Sequence, residues 1–235
     1  MKHRIWELDA FRGICIIGMV LVHLVYDLTD LYRIIDWEYP DWFEFIKNWG
    51  GLLFLLISGI CATLGKRSVR RGLIVFGCGM VVTAVTYGMY LFGFDKSIII
   101  YFGVLQCLGF CMILWWLCKR LPTWLLAVLG VVFIAAGLYL QSVTLVNHMW
   151  LIPLGVMPPA FYTSDYFPLL PNFGYFLIGA VVGRTLYRKK YTIFPRINPK
   201  NLIIRALSFC GRHSLWIYLL HQPILSGLCM LLQSN

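Results

Sequence analysis

The sequence has few charged residues for its length. Only 13% of its 235 residues are Asp, Glu, Lys or Arg, and 60% are hydrophobic. In a soluble globular protein, about a quarter of the residues are charged. This deficit excludes an ordinary water-soluble domain, and the mean hydropathy of +0.77 indicates a polytopic membrane protein.

Other features are also missing. No Cys-x-x-Cys pair occurs, and the eight cysteines lie in or beside apolar runs, so we expect small core residues and no disulfides. No internal repeat and no polar block long enough for a soluble domain occur, and no small-residue cleavage site follows the first apolar run. We therefore predict one transmembrane domain over residues 1–235.

Seven apolar segments are each near the length of about 20 residues that a helix needs to cross a bilayer. They are residues 11–32, 49–65, 72–94, 98–118, 122–140, 167–187 and 214–232. The predicted fold class is therefore all-α, a polytopic transmembrane helix bundle of about seven spans.

The basic residues are distributed unevenly between the loops. They cluster before the first segment and after the second, fourth and sixth segments, whereas the other loops carry most of the acidic residues. Cytoplasmic loops are enriched in Lys and Arg, so this pattern predicts a cytoplasmic N-terminus and a C-terminus outside. It also accounts for the net charge of +10 without a nucleic-acid partner.

Two predicted outer segments are rich in aromatic residues. Residues 31–47 contain Trp37 among acidic side chains, and residues 141–165, with Trp150, form a connection longer than most. Long loops often form lids, so both segments are candidates to roof an outer cavity. An aromatic belt at the membrane interface is the alternative for each Trp.

The first apolar segment carries several polar side chains. Arg12 and His23 are eleven positions apart and nearly in phase on a helix, and Asp27 and Asp30 lie close to the same line. His23 would lie about 16 Å deeper in the membrane than Arg12. Charged groups cost about 2.5–3.5 kcal/mol each at the bilayer centre, so such residues usually face the protein interior for a functional reason.

Three other segments place a polar side chain at similar depth, about 12–15 Å from the membrane edge at which each helix enters. These side chains are Ser58, Gln106 and His221. We expect them and His23 to hydrogen-bond around an interior cavity, although each could instead only join helices.

Asp27 lies four residues after His23, on the same helix face. An acid beside an imidazole orients the ring and raises its basicity, so we predict His23 with Asp27 as a general base. No metal is expected, because the ligands would come from distant segments without the spacing of a metal site.

Five blocks of sequence resemble known membrane acyltransferases. They are LDAFRGICIIGMVLVHLVYDL (residues 8–28), GGLLFLLISG (50–59), GVLQCLG (103–109), DYFPLLPNFGYFLIGAVVGR (165–184) and GRHSLWIYLLHQPIL (211–225). Together they resemble the heparan-α-glucosaminide N-acetyltransferase catalytic-domain family, in its small bacterial members. Arg12 and His23 also resemble the Arg-x10-His helix of bacterial membrane sugar O-acyltransferases.

The resemblance implies a plasma-membrane acyltransferase that moves an acetyl or other acyl group from cytosolic acetyl-CoA to an extracytoplasmic sugar or glycan. It implies His23, Asp27 and His221 as catalytic residues. The residues expected to bind CoA are Arg12, Gln106, Ser58, Arg70, Arg71, Arg184 and Arg212. Those expected to bind the acceptor, at an amine or hydroxyl, are Asp30, Trp37, Trp150 and Asn172. A homodimer is a further expectation.

Two other functions fit the polar layer. A small transporter or channel would use the His, Asp and Gln side chains as a proton or substrate path. A scaffold protein would use them only to hold helices together. The absence of inverted repeats and of paired broken helices favours the enzyme over the transporter.

Overall fold

The computed structural model describes residues 5–142, 149–156, 158, 163 and 165–233 of the chain. It is 76% helical, and the described residues contain no β-strand, which confirms the all-α prediction. The helices are α1 (Trp6–Tyr26), α2 (Asp41–Leu64), α3 (Ser68–Leu91), α4 (Val104–Cys118), α5 (Thr123–Ser142), α6 (Leu169–Thr185), α7 (Leu202–Arg212) and α8 (Ser214–Gln233).

Each of the seven predicted segments overlaps one of these helices. Five helices in the described part of the chain are long and apolar enough to cross a membrane: α1 with the turn that follows it, α2, α3, α5 and α8. Helices α4 and α6 are apolar but shorter, at 15 and 17 residues. The count of seven spans and the orientation of the termini therefore stay predictions. Lys2 and Arg4, which contribute to the predicted orientation, lie outside the described residues.

Helix α7 lies in the predicted loop between the last two apolar segments. Its sequence, LIIRALSFCGR, combines apolar residues at helical spacing with two arginines. The side chain of Asn201 caps it by accepting a hydrogen bond from the Ile203 N–H at 2.9 Å. At 11 residues it is too short to cross a bilayer, which is why hydropathy did not indicate it.

The chain forms two compact units, of which the first contains Met1–Phe54 and Lys190–Asn235. In this unit α1 packs along α7 and α8. The backbones of α1 and α7 meet at Gly13 and Gly211, where an added Cβ would collide with the carbonyls of Leu207 and Asp9 respectively. Small residues permit this close approach of helices in membranes.

The second unit is Leu55–Lys189. Its helix pairs include α5 with α6 and α3 with α4. The second half of α2 also packs on α6, because Gly59 and Gly179 let the two backbones touch. Buried apolar side chains fill this unit, among them Leu55 and Phe176, and the buried Cys107 and Cys111 agree with the predicted role of cysteines as small core residues.

Candidate functional site

Helix α1 continues directly into a π-helical turn, Asp27–Leu31. The N–H of Tyr32 donates to the Asp27 carbonyl at 2.9 Å, which is the five-residue spacing of a π-helix. Such turns are frequent at functional sites because they change which side chains face a neighbouring helix. Here the turn begins at Asp27, a residue with no exposed surface.

His23 of α1 and His221 of α8 are in contact. Their ring centres are 4.9 Å apart, and the rings meet edge to face at 84°. The Nδ1 atom of His23 lies 2.9 Å from the Met19 carbonyl, and that of His221 lies 2.5 Å from the Tyr218 carbonyl. A carbonyl only accepts, so each Nδ1 carries the proton, and in the neutral ring each Nε2 has a lone pair.

Asp27 is bound by Gln222, the residue after His221 in α8. The amide nitrogen of Gln222 lies 2.9 Å from each carboxylate oxygen of Asp27. The four-residue spacing had suggested that Asp27 orients the His23 ring. In the structure the hydrogen bond that orients this ring goes to Met19, and Asp27 bonds to Gln222 instead.

Sequence reasoning did not identify Gln222 as a site residue. The available signal was its amide side chain within an apolar helix, next to a histidine. The neighbouring residues His221 and Gln222 each have one acceptor atom, Nε2 and Oε1 respectively, that is buried and has no hydrogen-bond partner among the described residues. Both atoms accept, so a ligand with N–H or O–H groups would satisfy them.

A second polar group lies beyond the π turn. The Tyr39 hydroxyl donates to the Asp30 carboxylate and also bonds to the Thr29 hydroxyl. The Lys47 ammonium lies 4.8 Å from the centre of the Tyr39 ring, and the Trp37 ring packs edge to face on it at 5.7 Å. Burial raises the pKa of Tyr39, and its bond to the Asp30 carboxylate raises it further.

Two predicted site residues of the second unit, Ser58 and Gln106, are buried. The Oε1 atom of Gln106 accepts from the Gly103 N–H at 3.0 Å and so caps α4. Its amide nitrogen donates to the Gly79 carbonyl at 2.9 Å and to the Thr83 hydroxyl at 2.7 Å, both on α3. Both ends of the Gln106 amide are therefore engaged in joining helices.

Three more predicted residues belong to the second unit. The Asn172 amide donates to the Pro168 carbonyl at 2.8 Å. The Arg184 guanidinium donates to the Leu121 and Lys119 carbonyls at 2.5 and 2.6 Å. Trp150 is 70% exposed on a short 3₁₀ turn. Much of its predicted loop, residues 143–148, 157, 159–162 and 164, lies outside the described residues.

The remaining predicted residues are basic. Arg70 and Arg71 are exposed in the first turn of α3. Arg12 is 3.8 Å from the Asp9 carboxylate, one helical turn before it. A pocket of about 460 Å³ in the first unit lies between the start of α1 and α7. Its lining includes Trp6, Asp9, Arg205, Ser208, Phe209 and Arg212.

The two histidines, Asp27, Gln222 and this pocket all lie within one match to a protein family. The family model described as heparan-alpha-glucosaminide N-acetyltransferase, catalytic, matches residues 4–223. A search of curated proteins and a search of solved structures found no match. The family match indicates a transferase with a membrane acyltransferase-type function. Because the match covers nearly all of the sequence, the chain belongs to the heparan-alpha-glucosaminide N-acetyltransferase catalytic family.

Proposed function

We propose that this protein transfers an acetyl group from cytosolic acetyl-CoA to an amine or hydroxyl of an extracytoplasmic sugar or glycan. The observation that carries the proposal is the contact between His23 and His221. The backbone carbonyls that bind their Nδ1 atoms keep each Nε2 unprotonated in the neutral ring. An unprotonated imidazole nitrogen is the group that a general base needs.

The orientation of the chain in the plasma membrane is part of the proposal. The contacts between α1 and α8 run in the same order along both helices: His23 meets His221, and Tyr32 meets Gln233. The helices are therefore parallel. If both cross the membrane, the start of α1 and the end of α8 lie on opposite sides, and the distribution of basic residues is what places the N-terminus in the cytoplasm and the C-terminus outside.

The pocket beside α7 suits the phosphate end of CoA. Arg205 and Arg212 line it, and guanidinium groups bind phosphate through paired hydrogen bonds. Trp6 adds an aromatic ring, which offers a stacking face to the adenine base. Arg12, which neutralises Asp9, belongs to the same end of α1. Roles of Arg70, Arg71, Arg184 and Ser58 in CoA binding remain proposals from the sequence, whereas the Gln106 amide is already engaged within α4 and with α3.

In the reaction, His23 Nε2 takes the proton of the acceptor amine or hydroxyl as that nitrogen or oxygen attacks the thioester carbon. The carbon–sulfur bond then breaks, and the proton on His23 passes to the departing sulfur, so the products are an acetylated acceptor and CoA thiol. The nearby Asp27 carboxylate favours the imidazolium that forms in between.

The acceptor would be held by groups with unfilled hydrogen-bonding capacity. His221 Nε2 and Gln222 Oε1 are buried acceptors, which suit the N–H or O–H hydrogens of a sugar. Asp30 and Trp37, joined through Tyr39, supply a carboxylate and a ring that is 40% exposed. We propose that Asp30 and Trp37 bind the sugar, whereas roles of Trp150 and Asn172 in acceptor binding remain proposals from the sequence.

Acetyl transfer by the purified protein tests this function. Acetyl-CoA with glucosamine as the acceptor should release CoA thiol, and glucose, which lacks the amine, shows whether a hydroxyl suffices. The variant His23→Ala should lose at least about a hundredfold in kcat, the lower range for a general base, and still bind CoA in calorimetry. A wild-type rate in this variant would contradict the mechanism.

Thermal unfolding separates the enzyme from the transporter and the scaffold. A ligand present at about 100 times its dissociation constant stabilises a protein by about 2.7 kcal/mol, so acetyl-CoA should raise the Tm. An unchanged Tm at saturating acetyl-CoA, together with proton or sugar flux in proteoliposomes, would support the transporter instead.

A further inference from the structure

The side chain of Gln222 connects α8 to the π turn that follows α1. Its amide nitrogen lies 2.9 Å from both carboxylate oxygens of Asp27. Only the nitrogen of an amide can donate to a carboxylate, so this contact sets the orientation of the Gln222 side chain. In the part of the chain that the structure describes, no other side chain hydrogen-bonds to the Asp27 carboxylate.

A carboxylate without exposed surface depends on such a donor. Asp27 is 0% exposed, and a buried charge that loses its hydrogen-bond donor either turns toward another polar group or takes up a proton. The position and charge of this carboxylate therefore depend on Gln222.

The contact lies directly beside the two histidines. His23 precedes Asp27 by four residues on α1, and His221 precedes Gln222 by one residue on α8. The same two helices thus form the ring contact of 4.9 Å and the amide–carboxylate contact of 2.9 Å. A change at residue 222 would alter the charge next to the His23 ring without touching the ring.

We propose that Gln222 is a positioning residue, which holds the Asp27 carboxylate beside His23 during acyl transfer. This inference rests on the proposed function. The negative charge of Asp27 stabilises the imidazolium that forms when His23 takes the acceptor's proton, and Gln222 keeps that charge in place. The role is indirect, since Gln222 acts on the base through Asp27.

A double-mutant cycle with acetyl-CoA and glucosamine as the probe substrates tests the proposal. Gln222→Met keeps the side-chain length and removes the amide, so kcat should fall about 10–100-fold, as for other partners that orient a functional group. The KM for acetyl-CoA should stay within about twofold. In the Asp27→Asn background, Gln222→Met should cause no further loss of kcat. Independent, additive losses in the double variant would overturn the proposal.

An exchanged pair distinguishes positioning from simple helix packing. In the double variant Asp27→Asn with Gln222→Glu, the amide in the π turn donates to a carboxylate on α8, so the contact is restored and its charge is moved. The Tm should return toward that of the wild type, whereas kcat should remain at least about tenfold lower. Recovery of kcat together with Tm would mean that the pair only joins the helices, and the proposal would be wrong.

Gln233 provides a matched control on the same helix. Its amide nitrogen is 3.4 Å from the Tyr32 carbonyl, and its side chain is exposed. Gln233→Met should leave kcat unchanged. Wild-type turnover is measured first, and its absence refutes the proposed acyl transfer. If the wild type is active and the kcat losses of the Asp27 and Gln222 variants add in the double variant, only the role of Gln222 is refuted.

Discussion

Replacing Gln106 by Met tests whether this residue supports the fold or binds the donor. Gln106 is 2% exposed, and its amide makes three hydrogen bonds, to Gly103, Gly79 and Thr83. The substitution keeps the length of the side chain and removes all three hydrogen bonds. It also leaves the buried N–H of Gly103, at the start of α4, without its side-chain acceptor.

The expected loss of stability follows from these bonds. Hydrogen bonds between membrane helices average about 0.6 kcal/mol, and those in soluble proteins about 1 kcal/mol, so three bonds amount to about 2–3 kcal/mol. For a protein of this size, each kcal/mol corresponds to about 2–4 °C in Tm, on the scale measured for soluble domains. The Tm of the detergent-solubilised variant should therefore fall by about 4–12 °C.

The assay pairs thermal unfolding with calorimetric binding of acetyl-CoA. Binding is measured at a temperature well below the Tm of both the wild type and the variant. We expect a lower Tm and an unchanged affinity, because the Gln106 amide is already engaged with α3 and its own helix. Gln141→Met, at the exposed end of α5, is the control and should change neither quantity. An unchanged Tm with a tenfold or greater loss of affinity, about 1.4 kcal/mol, would refute this reasoning and assign Gln106 to the donor site.

Two further predictions concern other parts of the first unit. Gly211→Ala should destabilise the protein strongly, because the new Cβ would collide with the Asp9 carbonyl, whereas Gly18→Ala, with no atom within 4 Å, should not lower the Tm. Equal Tm values for the two variants would contradict the close packing of α1 on α7. Tyr39→Phe should raise the KM for the acceptor, since Asp30 loses the hydrogen bond from the Tyr39 hydroxyl. The folded-state pKa of Tyr39 is raised, so its contribution to stability is complete below its unfolded pKa of about 10 and declines as the pH rises through the folded value. This alkaline decline in Tm should be smaller in Tyr39→Phe, and an unaltered pH dependence of Tm would argue against the contact.

Most of the helices could be predicted from the sequence, because hydropathy is a property of about 20 consecutive residues and needs no knowledge of the fold. The boundaries were less predictable. Helix α2 begins at Asp41, eight residues before the predicted segment that starts at residue 49. Its first turns contain Glu44 and Lys47, which a hydropathy window excludes although Glu and Lys are good helix formers.

The sequence also placed His23 and His221 each within an apolar helix, and their depth in the membrane stays a prediction from the helix rise. That His23 and His221 touch depends on the parallel packing of α1 and α8, which no local pattern specifies. Helix α7 was missed because, at 11 residues, it is too short for a hydropathy search. Its position depends on the close approach of Gly13 and Gly211, residues far apart in the sequence.

The sequence by itself determined the membrane class, the all-helical fold, the family and the residues able to do acid–base chemistry, because these depend on composition, local periodicity and short blocks of residues. Only the tertiary structure decided which polar groups meet. Asp27 bonds to Gln222, 195 positions away, and Gln106 ties α4 to α3. The physical reason is that hydrogen-bond partners of a buried side chain are set by whichever helix faces it, and that arrangement exists only in the packed protein.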